Sequence, residues 1–249
     1  MSMPFYVSPE QVMKDRADYA RKGIARGRSL LAFSTTDGIL IVAENPSRTL
    51  YKISEIYDRI AFAGVGKYNE FEMLRIAGVR QADVKGYSFA REDVNARSLA
   101  NAYAQTLGQV FTHEMKPYEV EILVAQVGET QDHDELFHIL YDGTVMDEQG
   151  FSVLGGQAEV IIEATRERYQ SDLDRRGAVR LGAELLANGG EALPANQLEV
   201  AFLDRARTRR ARLRSRNATS SWVAARVSPS DASTSAPRRM APALSSVGS

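Results

Sequence analysis

The spacing of apolar residues changes several times along the chain, and each change marks an element. Met13, Ala17, Ala20 and Ile24 recur at helical intervals and draw a narrow apolar stripe through a polar segment, so a helix opens the series. Its start signals are complete: Ser8 can cap, Pro9 suits the first helical position, Gln11 stands where a capping box closes, and Val7 and Val12 have the spacing of a hydrophobic staple. So thin a stripe needs a partner surface. The pattern then turns to β. "SLLAFSTTDGILIVAE" is two runs split by Asp37 and Gly38, a pair that tolerates positive φ and reads as a hairpin. Segments 50–53 and 59–64 read as further strands. From 67 to 77 and from about 92 to 114 the period is helical again, with Ala96, Ala100, Tyr103, Leu107 and Val110 on one face. Lys116 and Pro117 close that block, and "VEILVAQV" at 120–127 alternates as a half-buried strand does. "LFHILYDGTVMDEQGFSVLGG" supplies a second hairpin turned at Asp142 and Gly143; helices at 158–171 and 177–188 and a strand at 198–203 complete the order.

Hairpins outnumber single crossover helices, which favours antiparallel sheets with helices in pairs on their outer faces. The expected fold is α/β of the α+β kind: a four-layer αββα sandwich, two antiparallel sheets between helical layers, with a helix ahead of the first strand. The 249 residues, 44% of them hydrophobic, suffice for one core. The expected organisation is a leading segment at 1–8, one domain at 9–204, a basic segment at 205–227 in which "NATSSWVAARV" forms a short helix, and a disordered tail rich in Ser, Ala and Pro at 228–249.

Charge removes some functions from consideration. With 31 basic and 32 acidic side chains there is no global field to draw nucleic acid or an anionic membrane. The absence of cysteine excludes disulfides, thiolate nucleophiles and cysteine metal sites. The N-terminus lacks a basic-then-apolar leader, and no apolar run approaches the ~20 residues of a membrane span, so a soluble cytoplasmic protein without a membrane partner is expected. "AGVGKYNEF" is a loose phosphate-loop match that has Ala61 and Tyr68 where glycine and Ser or Thr belong; a glycine-rich strand end explains it better. His113, His133 and His138 fall in no zinc pattern, Ser152 in no nucleophile elbow, and "ETQDHDE" reads as a solvated loop. Arg205, Arg207, Arg209, Arg210, Arg212, Arg214 and Arg216 form a basic run with no aromatic among them. A solvated segment docked on acidic neighbours is the favoured reading, with nucleic-acid binding as its rival. No catalytic residue, metal or cofactor follows from these patterns.

Longer stretches carry more. "SPEQVMKDRADYARKGIARGRSLLAF", "ILIVAENPSRTLYKISEIYDRIAFAGVGKYNEFEMLR", "ANAYAQTLGQVFTHEMKPYEVEILVAQVG" and "LYDGTVMDEQGF" together closely resemble the alpha subunits of actinobacterial 20S proteasomes, from the N-terminus to about residue 204. The resemblance implies the same four-layer sandwich, in its noncatalytic form. Proteolytic β subunits attack with an N-terminal threonine. Aligned on Asp37 and Gly38, that place falls near Arg28, with Ser29 next, while Glu44 and Lys52 fall at the positions of an acidic catalytic residue and a catalytic lysine. Arginine cannot be the nucleophile, and the opening helix denies Ser29 a free N-terminus; an active Ntn-type hydrolase cut at Ser29 is the enzyme alternative.

The resemblance further implies seven-membered outer rings made with neighbouring alpha subunits and stacked on proteasome β subunits. Segment 1–8 would converge on the ring axis as a gate, with Pro4, Phe5 and Tyr6 giving it bulk. Lys52 would receive the C-terminal carboxylate of an activator, a hexameric AAA ATPase that delivers pupylated proteins. Lys22, Gly23 and Arg26 would form the other wall of that pocket, although Arg26 equally suits the helix dipole. Val65 and Gly66 either line the same pocket or only pack strand to helix.

Overall fold

The computed structural model describes residues 8–47, 49–187, 189–190 and 193–206, together with the backbone of Trp222–Arg226. The gate residues Pro4, Phe5 and Tyr6, and Arg207 to Arg216 of the basic run, lie outside the described residues.

Helix α1 (Pro9–Ile24) starts as its sequence dictates: Gln11 N donates to Ser8 Oγ at 3.3 Å. The capping box stays half-formed, because the Gln11 amide donates onward to Asp15 Oδ1 at 2.6 Å. The stripe is used unevenly. Ala20 and Ile24, with Ala17 beside them, pack on Phe111 and Tyr141, while Met13 and Tyr19 remain 37% and 48% exposed.

Ten strands then form two five-stranded sheets among the described residues. In sheet one, β1 (Leu30–Thr35) and β2 (Gly38–Glu44) make the expected hairpin; β8 (Phe151–Leu154) flanks β1, and β9 (Leu198–Asp204) flanks β2. Sheet two runs in order β3 (Ile53–Tyr57), β4 (Ile60–Gly66), β5 (Val120–Gln126), β6 (Glu135–Ile139) and β7 (Val145–Glu148). Every pairing is antiparallel. Helices α2 (Tyr68–Ser88) and α3 (Ala96–His113) cover sheet two, and α4 (Ala158–Arg168) and α5 (Arg175–Leu186) cover sheet one. Three apolar layers separate the four structural ones. Leu30, Ile39, Ile41, Leu123 and Leu203 meet between the sheets, Phe62 of β4 shares the layer under α2 and α3 with Leu107 of α3, and Phe33 of β1 shares the layer under α4 and α5 with Leu185 of α5. Each fully buried side chain of this size contributes about 1.5–3 kcal/mol, which is why the hairpin pattern was a sound guide to the layering. No helix among the described residues is long and apolar enough to cross a membrane.

Several boundaries differ from the sequence reading. The strand expected at 50–53 begins at Ile53, leaving Lys52 in the segment that leads into it. β5 is not half-buried: Ile122, Leu123, Val124 and Ala125 are all covered, because helices lie on one face and sheet one on the other. Helix α2 runs to Ser88, well past its apolar period. Gly78 and Gly86 make that possible, since a Cβ at either would collide with the Tyr103 or Tyr57 hydroxyl.

The C-terminal readings need more correction. Trp222–Arg226 is not part of a short helix; it forms strand β10, which pairs antiparallel with β9 and covers backbone groups that would otherwise stand unpaired on a sheet edge. Arg205 does not belong to a solvated basic run. It is 8% exposed, and its guanidinium makes a two-pronged contact with Asp134, at 2.7 and 2.8 Å. It also donates to the carbonyls of Gly128 at 3.1 Å, Thr35 at 3.0 Å and Thr36 at 3.4 Å. Asp134, read as part of a solvated loop, accepts in addition from Ser34 Oγ at 2.7 Å and Gly128 N at 2.9 Å. This network ties the β1–β2 turn, the β5–β6 loop and the end of β9 together at one end of the sandwich.

Candidate functional site

At the opposite end, the chain leaves sheet one at Glu44 and crosses to sheet two through residues 45–52. Asn45 organises the start of the crossing. Its N–H donates to Gln197 O at 2.6 Å, its Oδ1 accepts from Ser47 N at 3.0 Å in an Asx turn, and its amide donates to Leu50 O at 2.8 Å. Glu199, on β9 and 5% exposed, holds the other side. Its carboxylate accepts from Asn45 Nδ2 at 2.6 Å, Lys52 N at 3.0 Å and Ile53 N at 3.0 Å. Lys52 O accepts from Gly64 N at 3.0 Å, so the Lys52 backbone is fixed to both sheets.

The half-buried Lys52 side chain reaches the connection between α1 and β1, where Nζ donates to Arg28 O at 2.6 Å. Burial pushes the ammonium down from its ordinary 10.5 to about 8; Glu44 and Glu199 work against that, and Arg28 adds to it. The Glu44 carboxylate is engaged by the Arg28 guanidinium. An ammonium has three N–H donors, and Lys52 makes no ion pair with a described residue, so the site presents a positive charge able to take an incoming carboxylate.

The other predicted pocket residues fall into three groups. Gly27 lies against Val65 and the Gly66 N–H, which joins the end of β4 to the Lys52 corner through Arg28. The Val65 side chain is wholly buried, and it is its Cγ1 that faces Gly27, so it packs this corner rather than offering a surface to a ligand. Gly66, at φ 109°, has no room for a side chain against Glu119 O. Gly23 backs onto the Glu119 side chain. Lys116 Nζ bridges Glu119 at 2.8 Å and Glu70 at 2.7 Å and sits 5.5 Å from the Tyr19 ring centroid, which seats the last turns of α1. Lys22 and Arg26 stand exposed beside this seat, with no described contact to Lys52. Sequence reasoning missed Glu199 and Asn45. The one usable signal was an acidic residue inside the apolar run "LEVAFL".

The position of a nucleophile is also defined. Ser29 is 6% exposed, its carbonyl accepts from Glu44 N at 3.2 Å, and α1 precedes it, so it offers no free amino group. Among the described residues no cluster of His, Asp and Glu could hold a metal ion.

The family profile described as "Proteasome subunit" matches residues 24–203. The proteasome subunit alpha of Acidimicrobium ferrooxidans is 62% identical over 204 residues, covering 82% of this chain and 88% of the relative. That of Sanguibacter keddieii is 62% identical over 216 residues, with 85% of each covered. That of Kineococcus radiotolerans is 58% identical over 219 residues, covering 84% of this chain and 92% of the relative. With Arg28 and a buried Ser29 where the proteolytic subunits expose their threonine, the chain belongs to the proteasome subunit family, as a noncatalytic subunit of the alpha type.

Proposed function

We propose that the chain forms the heptameric outer rings of a cytoplasmic 20S core with a separate β subunit, gates entry to the proteolytic chamber, and docks the C-terminal carboxylate of an activator at Lys52. The activator would be a hexameric AAA ATPase that delivers pupylated proteins. The observation that carries this reading is the Lys52 corner: a lysine whose backbone is fixed to both sheets, whose ammonium donates to Arg28 O, and whose acidic neighbour Glu44 is engaged by Arg28. A unit charge pair at 4 Å attracts by about 4 kcal/mol at intermediate dielectric, before desolvation reduces it. A hexamer can offer up to six such contacts to one ring, and they act together through effective concentration. The exposed apolar side chains of α1, Met13 and Tyr19, suit the head-to-tail contacts that close a ring. The gate would be segment 1–8, ending at the Ser8 cap, with Lys22, Gly23 and Arg26 on the pocket wall.

The test is reconstitution with the cognate β subunit, with particle mass measured first. Deleting residues 2–8 should raise peptide hydrolysis, and Lys52→Ala should abolish stimulation by the ATPase at unchanged particle mass. Normal stimulation of a correctly assembled Lys52→Ala particle would remove the docking assignment, and unchanged hydrolysis after the deletion would remove the gate.

A further inference from the structure

We infer that Glu199 is a positioning residue for activator docking, which fixes Lys52 in place and helps to keep it charged; this rests on the docking role of Lys52 proposed above. A carboxylate buried inside a strand is costly unless hydrogen bonds replace its water. Glu199 has three: Asn45 Nδ2 and Lys52 N from the segment that crosses between the sheets, and Ile53 N from the first residue of β3. It grips two consecutive backbone N–H groups, the first of them that of Lys52, and the amide of the residue that shapes the turn before it.

The second contribution is electrostatic. The charged groups acting on the Lys52 ammonium are Glu44 from β2, Glu199 from β9 and Arg28 from the α1–β1 connection. Tyr68, at the start of α2, is within reach of the Glu199 charge. Glu44 is held by Arg28. Glu199 carries no such ion pair among the described residues, and its charge adds to the larger contribution of Glu44 in offsetting burial at Lys52.

Geometry and charge separate in two substitutions. Glu199→Gln keeps the shape but removes the charge and sets an amide donor against one of the donors now bound. Glu199→Asp keeps the charge and shortens the reach to the Lys52 and Ile53 N–H groups. Both are tested in cores reconstituted with the β subunit, by titrating the cognate hexameric ATPase and following stimulated peptide hydrolysis against pH. Glu199→Gln should raise the half-stimulating ATPase concentration about tenfold, equivalent to ~1.4 kcal/mol, and move the alkaline midpoint of stimulation to lower pH. Wild-type values for both would overturn the inference. Should Glu199→Gln fail to assemble, Glu199→Asp decides: a raised half-stimulating concentration with the wild-type midpoint supports the inference, and a wild-type concentration overturns it. Lys52→Ala runs alongside. If it loses stimulation while the Glu199 variants behave as wild type, only the positioning role falls; if it keeps stimulation, the docking reading falls and this inference with it.

Discussion

Replacing Arg205 by methionine would remove a guanidinium that joins the β1–β2 turn, the β5–β6 loop and the end of β9. The Arg205 and Asp134 side chains are 10% and 2% exposed, so the pair is dry. The substitution leaves Asp134 with its Ser34 and Gly128 donors but no cation, and takes a donor from the carbonyls of Thr35, Thr36 and Gly128. Breaking a buried pair from one side costs about 3–5 kcal/mol. In a domain of this size 1 kcal/mol moves the melting temperature by about 2–4 °C, so a fall of ~6–20 °C is expected. The double variant Arg205→Met, Asp134→Leu should recover only the part due to the uncompensated Asp134 charge, because the Thr35, Thr36 and Gly128 carbonyls, Ser34 Oγ and Gly128 N stay without these partners. The assay is thermal unfolding of wild type, both single variants and the double variant, followed by circular dichroism, with assembly yield as the second readout. An arginine in a solvated basic run would cost no more than about 0.5 kcal/mol. A shift below ~2 °C for Arg205→Met would therefore refute the clamp.

Three further outcomes follow from the geometry. Because Lys52 must be protonated to bind a carboxylate and its pKa is lowered to about 8, stimulation by the ATPase should fall as pH rises through about 8, with a higher midpoint at saturating ATPase; a flat profile from pH 7 to 9.5 would contradict this. The same shift acts on stability: between about 8 and 10.5 the unfolded chain keeps a proton that the folded chain has lost, so stability rises with pH across that window. The rise is at most ~3 kcal/mol, and Lys52→Met should flatten it and unfold at higher urea than wild type at pH 7; parallel curves would exclude the burial penalty. Finally, Gly78→Val sets two methyl groups and a Cβ against the Tyr103 hydroxyl, which is buried without a hydrogen-bond partner among the described residues, and should cost at least ~1–3 kcal/mol in urea unfolding.

How far the sequence could be read depended on the range of the interaction that decides each element. Hairpins, caps and apolar stripes are local, and so the layer order, the turn at Asp37 and the Ser8 cap were all legible. The second half of α2 was not, because what stabilises it is the approach of Tyr57 and Tyr103 to two glycines, contacts made across the fold. Nor was β10: its strand is decided by the open edge of β9. The candidate site divides the same way. Lys52 could be singled out through the resemblance of its surroundings, whereas Glu199 is 147 residues away from the backbone N–H it grips. Arg205 was grouped with the arginines that follow it, since charge along a sequence does not reveal which one turns inward to meet Asp134, 71 residues earlier.

The pairing of β10 has a practical consequence. β9 runs away from the Lys52 corner, from Leu198 beside Glu44 to Asp204 beside Gly38. β10 reverses that course, with Trp222 opposite Leu203 and Arg226 opposite Glu199. The polypeptide is thus handed back to the Lys52 end before it continues past residue 226. A fluorophore attached directly after Arg226 would start from the end of the sandwich that holds Glu199 and Lys52. Labels meant to be silent belong elsewhere, and labels meant to report docking already have their anchor point.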